Sequence, residues 1–548
     1  MSLISSASST KIPVDIRQFP GSRSFAADYI FNFPKLASFF AGDPRDRAAW
    51  ADAIRRTRAV ERRPKEIAAI IAAQQERRGA PARAREAAQT LADSATVAVV
   101  TGQQAGLFGG PLYTLFKALC AIKLAEHVSR EHQVRAVPVF WIESEDHDWD
   151  EVRTCTVLND ALTPCSVALP SELMLAPAPV ASVRLDDSVS AAIDELARTL
   201  PATEFREDLL KTLREIYAPG SGMADAFGRW LEHLLGDLGL VVYDASDPDA
   251  KRLAAPIFTT ELSTPGETGR LAAGAGAELD ALGYHAQVQA SQDAPALFLL
   301  DGGREPIRAA NGRLSAGDHS YSPDELAGQA RDFPGGFSPN VLLRPIVQDA
   351  IFPTICYVAG PSELSYLGQL RTVYRRFGVP MPLVQPRQTA TLVDSGAFRF
   401  LTKHQIPLES FQPQDDAALN ELVKAQIPVA IDQAFEAVAR AVDTSMAALI
   451  SAMPALDPTL EGAAKSTLGK MEHDLETLKG KIVQTAKRRD ETLKRQFART
   501  RALTFPGGQP QERVVGFVSF LNQYGPALVD RLMAELALEP DKHWIIAV

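Results

Sequence analysis

The sequence is poor in cysteine and lacks the patterns that mark secreted and membrane proteins. Its 548 residues include four cysteines, Cys120, Cys155, Cys165 and Cys356, without CxxC spacing or a paired histidine. Neither a zinc site nor a disulfide framework is expected. No stretch approaches the ~18 uninterrupted apolar residues of a membrane span, and residues 1–10 lack the basic and apolar regions of a signal peptide. We therefore predict a cytoplasmic protein that does not bind membranes.

Basic residues are fewer than acidic ones. The chain has 57 basic and 67 acidic side chains, a net charge of −10, which argues against a protein that binds nucleic acid. Its 46% of hydrophobic residues excludes a disordered chain, and the length is sufficient to bury a large core. At roughly 150 residues per domain, the length alone would indicate three or four units. The patterns below favour one interrupted α/β core with a helical hairpin.

The most informative stretch begins at residue 95. Ala95–Thr101 is rich in β-branched residues and predicts a buried strand. A glycine-dense loop, Gly102–Pro111, leads into a helix over about 112–129, and a second apolar strand follows at Val134–Ile142. Strand, helix and strand in this order form a βαβ unit, which implies a parallel sheet.

Later segments extend and interrupt this core. Further core strands are predicted at 238–243 and 353–359, the second followed by a helix with Ser362 as its N-cap. The predicted division is an N-terminal, mainly helical part of the core (1–94), the first βαβ unit (95–154), a first insertion (155–235), core (236–260), a second insertion (261–340), core (341–414), a coiled-coil hairpin (415–503) and a C-terminal segment packing on the core (504–548).

The hairpin is predicted from the spacing of its apolar residues. A 3-4-3-4 spacing, typical of a coiled-coil seam, relates Leu468, Met471, Leu475, Leu478 and Ile482. A matching stripe lies upstream, and a proline-containing break separates the two. At 1.5 Å per residue, two antiparallel arms of about 35–45 residues would project about 50–65 Å. We expect this hairpin to form a homodimer contact, with packing back onto the sheet as the alternative.

The glycine loop is a candidate binding site. A helix N-terminus favours phosphate or carboxylate, although the same glycines also suit a tight turn. The loop is neither GxGxxG nor GxxxxGK[ST], so dinucleotide and P-loop binding are not indicated. The paired amides of Gln103 and Gln104, beside Gly106, favour a ligand. On the following helix, Tyr113 and Lys117 are four residues apart and are expected to face one pocket.

The second strand ends in six carboxylates within nine residues, Glu143–Glu151. Four interpretations stay open at this point: a solvated acidic loop, a divalent metal site, a cradle for a substrate ammonium, or a general base formed by His147 and a neighbouring carboxylate. Their position after a parallel-type strand favours function. No individual metal ligands are assigned, and the metal requirement is left open.

Two further regions carry charge. Arg344 precedes the third core strand and suits either a substrate carboxylate or a structural ion pair. Residues 479–501 hold nine basic side chains against two acidic ones. They suit either a solvated face of the coiled coil or a phosphate-binding flank.

The first βαβ unit resembles the first half of a class I aminoacyl-tRNA synthetase. In that class, Gly-Pro-Leu precedes a His-x-Gly-His motif that handles ATP. Here Gly110-Pro111-Leu112 is followed by Tyr113-Thr114-Leu115-Phe116-Lys117, which contains neither histidine, and no KMSKS-like loop is found.

A longer resemblance is to the BshC family, the cysteine-adding enzymes of bacillithiol biosynthesis. It rests on residues 101–114 with Lys117 and on the strand 138–142 that runs into Glu145-Asp146-His147-Asp148. Further motifs fit: Arg344-Pro345 with Gln348-Asp349, Gly360-Pro361 with Glu363, Pro386-Arg387, and Gln511-Glu512-Arg513. The resemblance covers nearly the whole chain. It implies a Rossmann-like parallel-sheet core of the class I synthetase and nucleotidyltransferase type, two connecting-peptide insertions and a C-terminal antiparallel coiled coil that dimerises.

The resemblance also implies an activity. The expected reaction is the last step of the pathway, in which a ligase joins cysteine to glucosaminyl malate through an amide. An adenine nucleotide site, for ATP or ADP, is implied between the core and the coiled-coil region. Two other functions stay open: another amino-acid ligase on the same core, and a non-catalytic, nucleotide-binding dimeric scaffold.

The candidate residues fall into three groups. The catalytic candidates are His147, Asp146, Asp148 and Lys117. The substrate-binding candidates are Gln103, Gln104, Gly106, Tyr113, Glu145, Arg344, Asp349 and Glu363. The nucleotide-binding candidates are Lys487, Arg488 and Arg513.

Overall fold

The computed structural model describes residues 10–21, 24–174, 177–425, 429–457, 459–489 and 491–548, with the side chains of 486–489 left out. The chain divides into two compact units. Unit 1 consists of the residues up to Leu392 together with Gln509–Val548, and unit 2 is Val393–Gly508.

The strands in chain order are β1 (Lys11–Asp15), β2 (Val97–Gln104), β3 (Ala136–Glu143), β4 (Thr154–Leu158), β5 (Pro164–Ala168), β6 (Val241–Asp244), β7 (Leu297–Leu300), β8 (Arg304–Pro306), β9 (Arg308–Ala310), β10 (Arg313–Ala316), β11 (His319–Tyr321), β12 (Phe337–Pro339), β13 (Thr354–Ala359), β14 (Leu383–Pro386), β15 (Thr389–Val393) and β16 (Lys542–Ala547).

The helices in chain order are α1 (Ser24–Phe31), α2 (Arg47–Arg58), α3 (Pro64–Arg78), α4 (Ala82–Thr90), α5 (Leu112–His132), α6 (Trp149–Val152), α7 (Ser188–Thr199), α8 (Arg206–Ile216), α9 (Met223–Leu235), α10 (Pro248–Ser263), α11 (Glu267–Ala281), α12 (Pro323–Asp332), α13 (Arg344–Ile351), α14 (Pro361–Leu367), α15 (Arg371–Phe377), α16 (Ser395–His404), α17 (Ala417–Lys424), α18 (Val429–Ala452), α19 (Leu460–Arg489), α20 (Glu491–Thr504), α21 (Gln511–Val514), α22 (Phe517–Tyr524) and α23 (Ala527–Glu535). Helices α16 to α20 belong to unit 2.

A five-stranded sheet in the order β14-β13-β2-β3-β6 forms the centre of unit 1. Each neighbouring pair is parallel. The apolar run of β2 is buried from Val97 to Val100, which is why this segment forms an inner strand. The register pairs Gln104 with Glu143, so the polar ends of β2 and β3 lie side by side. The predicted Rossmann-like parallel sheet is confirmed.

Helix α5 links β2 to β3 through the glycine loop. Gly109 has φ 97°, and a Cβ there would lie 2.0 Å from the ring of Phe517, so the turn needs glycine at this position. The predicted N-cap of the helix after β13 is wrong. Helix α14 starts at Pro361, because proline is well suited to the first helical position and the Glu363 carboxylate accepts the Gly360 N–H at 2.7 Å.

The two long connections of the core carry their own small sheets. Within 155–235, β4 and β5 pair antiparallel. Within 261–340 lie parts of two three-stranded sheets, β12-β7-β8 and β11-β10-β9. In the described parts of both connections, no strand joins the central sheet. At the ends of unit 1, β16 pairs antiparallel with β1 and belongs to the sheet β1-β16-β15.

Unit 2 is helical, and α18 and α19 form its hairpin around a short turn at Met453–Ala455. Helices α18 and α19 have 24 and 30 residues, and α20 begins at Glu491, after residue 490, which lies outside the described residues. The predicted arm length of about 35–45 residues stays a prediction. Unit 2 begins at Val393, within the segment predicted as core (341–414), and the ring centre of Phe411 lies 4.9 Å from that of Phe497 on α20. Among the described residues, no helix combines the length and the apolar character that a membrane span needs.

Candidate active site

A cavity of about 690 Å³ lies at the carboxyl edge of the central sheet. Its wall is built from the ends of β2 and β3, the first turns of α5, α13 and α14, and residues that follow β13 and β14. The second insertion contributes Phe298 and Arg304, and α21 contributes Arg513. Because open α/β sheets bind ligands at this edge, the cavity is the candidate active site.

Lys117 is a buried cation on this wall, with 2% of its surface exposed. Its Nζ donates to the carbonyl of Gly102 at 2.6 Å and to Gln103 Oε1 at 3.1 Å, and lies 2.5 Å from Glu363 Oε2. Burial lowers the pKa of Lys117, while the carboxylate of Glu363 opposes that shift. Lys117 therefore fixes the orientation of Gln103 and Glu363.

Glu363 is held as an anion by several donors. Its carboxylate accepts from Tyr357 OH at 2.6 Å and from the N–H of Gly360 at 2.7 Å, in addition to Lys117. Burial alone would raise the pKa of Glu363, but the charge of Lys117 and these hydrogen bonds outweigh it and lower the pKa. The neighbouring Tyr113 accepts from Gln103 Nε2 at 3.2 Å, and burial raises its pKa to about 12.

Glu143 and Arg344 form a second ion pair on the wall. Arg344 Nε lies 3.1 Å from Glu143 Oε2. The other guanidinium nitrogens donate to Gln348 Oε1 at 3.0 Å and to Tyr366 OH at 2.9 Å. Burial raises the pKa of Glu143 to about 7, with Arg344 acting in the opposite direction. For Arg344, the structure shows the ion-pair alternative of the sequence analysis.

The third polar group on the wall joins β3 to the second insertion. Arg304 NH1 lies 2.8 Å from His147 Nδ1, and its guanidinium stacks 3.9 Å over the ring of Phe298. Because a guanidinium only donates, Nδ1 accepts and the ring proton of His147 resides on Nε2. Gln104 Nε2 donates to Asp146 Oδ2 at 2.6 Å, which orients that carboxylate.

Arg387, which follows β14, also lines the cavity. It donates to both carboxylate oxygens of Glu512, at 3.1 and 2.6 Å, and lies 5.4 Å from the centre of the Tyr113 ring. The next residue on α21, Arg513, lines the cavity. The side chains of Lys487 and Arg488, the other predicted nucleotide-binding residues, lie outside the described residues.

Several backbone amides of the glycine loop, which the sequence analysis offered as an anion site, donate to acceptors within the protein. The N–H of Gly106 donates to the carbonyl of Gln104 at 2.9 Å, and that of Gly109 donates to Gly106 at 3.0 Å. The first helical N–H, of Leu112, donates to the carbonyl of Val515 at 2.9 Å. These donors are satisfied within the protein, and Gly106 does not line the cavity.

Three other predicted residues lie away from the cavity. Glu145 is buried against Lys251. Asp148 caps α6 by accepting the N–H of Glu151 at 3.2 Å. Asp349 is buried and accepts from Tyr374 OH at 2.6 Å. Each carboxylate therefore has a structural partner of its own.

The acidic run Glu143–Glu151 is thus divided among separate partners. His147 lies beside the cavity and reaches it through Arg304. In the part of the chain that the structure describes, no group of three or more His, Cys, Asp or Glu is arranged to hold a metal ion. The metal-site interpretation therefore gains no support.

Three wall residues, Glu143, Arg304 and Arg387, were not among the candidates named from the sequence. Glu143 opens the acidic run, and Arg387 stands in a family motif, so both had a signal. Arg304 had none, because it comes from an insertion 157 residues after its partner His147.

The geometry is accompanied by a clear likeness to known proteins. Residues 12–388 match the family model described as the N-terminal Rossmann-like domain of bacillithiol biosynthesis BshC, and residues 390–548 match its C-terminal coiled-coil domain. The chain belongs to the BshC family. The predicted family, ligase class and place in bacillithiol biosynthesis are thereby confirmed.

Curated BshC relatives match over most of their length. A protein of Salinibacter ruber is 33% identical over 98% of both chains. A protein of Symbiobacterium thermophilum is 36% identical over 84% of this chain and 85% of its own. One of Chlorobaculum tepidum is 33% identical over the same shares. Each of these relatives bears the name "Putative cysteine ligase BshC".

Proposed function

We propose that this chain is a cysteine ligase that joins the carboxyl group of cysteine to the amine of glucosaminyl malate, forming an amide. The observation that carries the proposal is the cavity, in which a BshC-family core places fixed cations and carboxylates at the carboxyl edge of its sheet. Both substrates carry an amine and at least one carboxylate. A wall of mixed charge is suited to both.

Different residues of the wall are suited to different chemical groups of the substrates. A guanidinium has five N–H groups, and Arg344 uses three of them on Glu143, Gln348 and Tyr366, so the others are suited to a substrate carboxylate. Asp146, oriented by Gln104, is suited to a substrate ammonium. Gln103 and Tyr113 add neutral donors and acceptors.

The size and charge of the cavity also suit a nucleotide. Its volume of about 690 Å³ lies within the range of small-molecule sites, and the cationic side chains Arg344, Arg387 and Arg513 line it. We propose that Arg513 helps to hold the phosphates of an adenine nucleotide. When bound, ATP supplies the energy that activates the acyl group.

The coiled coil supports a proposal about the oligomeric state, and the cysteines support one about the compartment. We propose a homodimer through the hairpin, supported by the exposed seam residues Met471 and Leu478. We place the reaction in the cytoplasm, whose reducing conditions suit a thiol substrate and the free cysteines of this chain.

The direct test incubates purified protein with cysteine and glucosaminyl malate, with and without ATP, and follows the products by mass spectrometry. The amide is expected only with ATP and with cysteine, and not with serine or alanine. Product with several amino acids would favour a broader ligase, and no product with any would contradict the proposal.

Asp146→Asn should reduce turnover about 10-fold or more, because one directed charged contact to substrate is lost. The matched control is Asp160→Asn on an exposed loop, which should keep the wild-type rate. Equal rates for the two variants would remove Asp146 from the recognition of substrate.

A further inference from the structure

The carboxylates of the cavity wall differ in how fully their oxygens are engaged. Glu363 accepts from Lys117, from Tyr357 and from the backbone of Gly360. Asp146 accepts from the amide of Gln104 and from the N–H of His147 at 2.8 Å. Glu363 is therefore stabilised in the charged form, and the oxygens of Asp146 are already engaged by two donors.

Glu151, which also lines the cavity, is hydrogen-bonded to the side chain of Gln104. Glu143 is in a different position. It lines the cavity at the end of β3, and its contact with Arg344 is to a single nitrogen, Nε. The remaining guanidinium nitrogens of Arg344 donate to Gln348 and Tyr366, which hold it in place from the other side. Glu143 therefore has weaker support for its charge than Glu363 has.

The histidine beside the cavity does not itself line it. His147 Nδ1, which carries the lone pair in this tautomer, is covered by Arg304 NH1 at 2.8 Å. The other ring nitrogen carries the proton and can only donate. The acceptor nitrogen of His147 is thus engaged by Arg304, whereas Glu143 lines the cavity.

We propose that Glu143 is the general base that takes a proton from the ammonium group of the amino-sugar substrate. This rests on the proposed function and names the group that prepares the nucleophile. One N–H bond of the ammonium breaks and one O–H bond forms on the Glu143 carboxylate. The nitrogen keeps the electron pair, and a neutral amine is left to attack an acyl carbon.

The charged surroundings are compatible with this role. The titratable and charged groups that act on Glu143 are Arg344 on α13, Arg304 on β8, Lys251 on α10, Tyr366 on α14, and Glu145 and Asp146 on its own loop. Burial raises the pKa of Glu143 to about 7, and a general base works best with a pKa near the working pH.

The test compares Glu143→Gln with the wild type in the cysteine and glucosaminyl malate assay from pH 6 to pH 9. At pH 7, kcat should fall about 100-fold or more, the scale of general base catalysis. The loss in kcat should be smaller at pH 9, because the substrate amine is then already neutral in solution and needs no base. Glu143→Asp, which keeps a carboxylate, should recover part of the rate.

Two controls separate this role from a structural one. Glu143→Gln keeps the size of the side chain and an oxygen that can accept from Arg344 Nε, so the variant should fold and bind glucosaminyl malate in calorimetry, although the lost ion-pair charge lowers its Tm. Glu172→Gln, on an exposed turn outside the cavity, should keep the wild-type rate and pH profile.

A Glu143→Gln variant with wild-type kcat and pH profile would overturn the assignment while leaving the ligase function intact. A defect of constant size from pH 6 to pH 9 would also overturn it. A wild-type protein that forms no product would remove the proposed function together with this inference.

Discussion

Three buried ion pairs organise the interior of unit 1 around its cavity. Lys117–Glu363 and Arg387–Glu512 lie on or beside the wall, and Lys251–Glu145 lies behind it. A buried pair contributes little net free energy compared with apolar packing, but removal of one partner leaves an uncompensated charge. These pairs therefore fix geometry at the site, and each is sensitive to single substitutions.

Lys251→Met tests this sensitivity at the residue scale. Lys251 also donates to the carbonyl of Phe337 at 2.6 Å. The substitution therefore leaves two buried acceptors, this carbonyl and the Glu145 carboxylate, without their donor. The free energy of unfolding should fall by about 3–5 kcal/mol, measured by urea denaturation.

The double variant Lys251→Met, Glu145→Gln should regain much of this loss, because no unpaired charge is left. The exposed pair of Lys542 with Glu539 supplies the matched control, and Lys542→Met should leave stability nearly unchanged. A small loss in Lys251→Met would show that water reaches Glu145.

Single elements also differ in how well the sequence predicts them. The strand β2, the helix α5 and the strand β3 follow directly from their apolar runs and from the glycine loop. The binding role of that loop does not follow, because the partner that covers its first helical N–H is Val515, about 400 residues away in sequence. Local patterns contain no information about such a contact.

The same contrast holds for the candidate site. Gln103, Gln104, Tyr113, Lys117, Asp146, Arg344 and Glu363 line the cavity as the strand ends and the motifs predicted. Asp349 belongs to a motif as well, yet its carboxylate is used to anchor Tyr374. A motif locates residues near a site, but only the fold decides which of them face the ligand and which support the wall.

The hairpin of unit 2 exposes apolar side chains that are suited to contact with a second copy of the hairpin. Met471 and Leu478 belong to the predicted seam and are 42% and 49% exposed. If the seam forms a homodimer, Leu478→Glu should convert the dimer to a monomer in light scattering, since a charge in the seam opposes association.

Lys470→Glu, one position from the seam, provides the matched control and should leave the dimer intact. A wild-type protein that is monomeric at micromolar concentration would exclude a stable dimer through the hairpin.

At the scale of the whole molecule, unit 1 is assembled from the two ends of the chain. β1 pairs with β16 along its full length, from Lys11 opposite Ile546 to Asp15 opposite Lys542. On β16, His543 is fully buried between the hydroxyl groups of Thr389 and Thr391, at 3.0 and 2.8 Å. The last strand is therefore part of the core.

Removal of residues 542–548 should lower the Tm of the protein by several degrees or prevent folding, because it exposes β1 and leaves Thr389 and Thr391 without their buried partner. Differential scanning calorimetry gives the measurement, and removal of Val548 alone gives the control. An unchanged Tm would mean that β16 is dispensable.

Because unit 1 consists of two segments that flank unit 2, its parts leave the ribosome at different times. Unit 2 emerges in full before residues 509–548, which supply Glu512 and β16. Until then Arg387 has no carboxylate partner, and one side of the cavity lacks Arg513. A nascent chain therefore cannot complete its binding site before Glu512 and Arg513 have been translated, and a product that terminates before them is left with an incomplete wall.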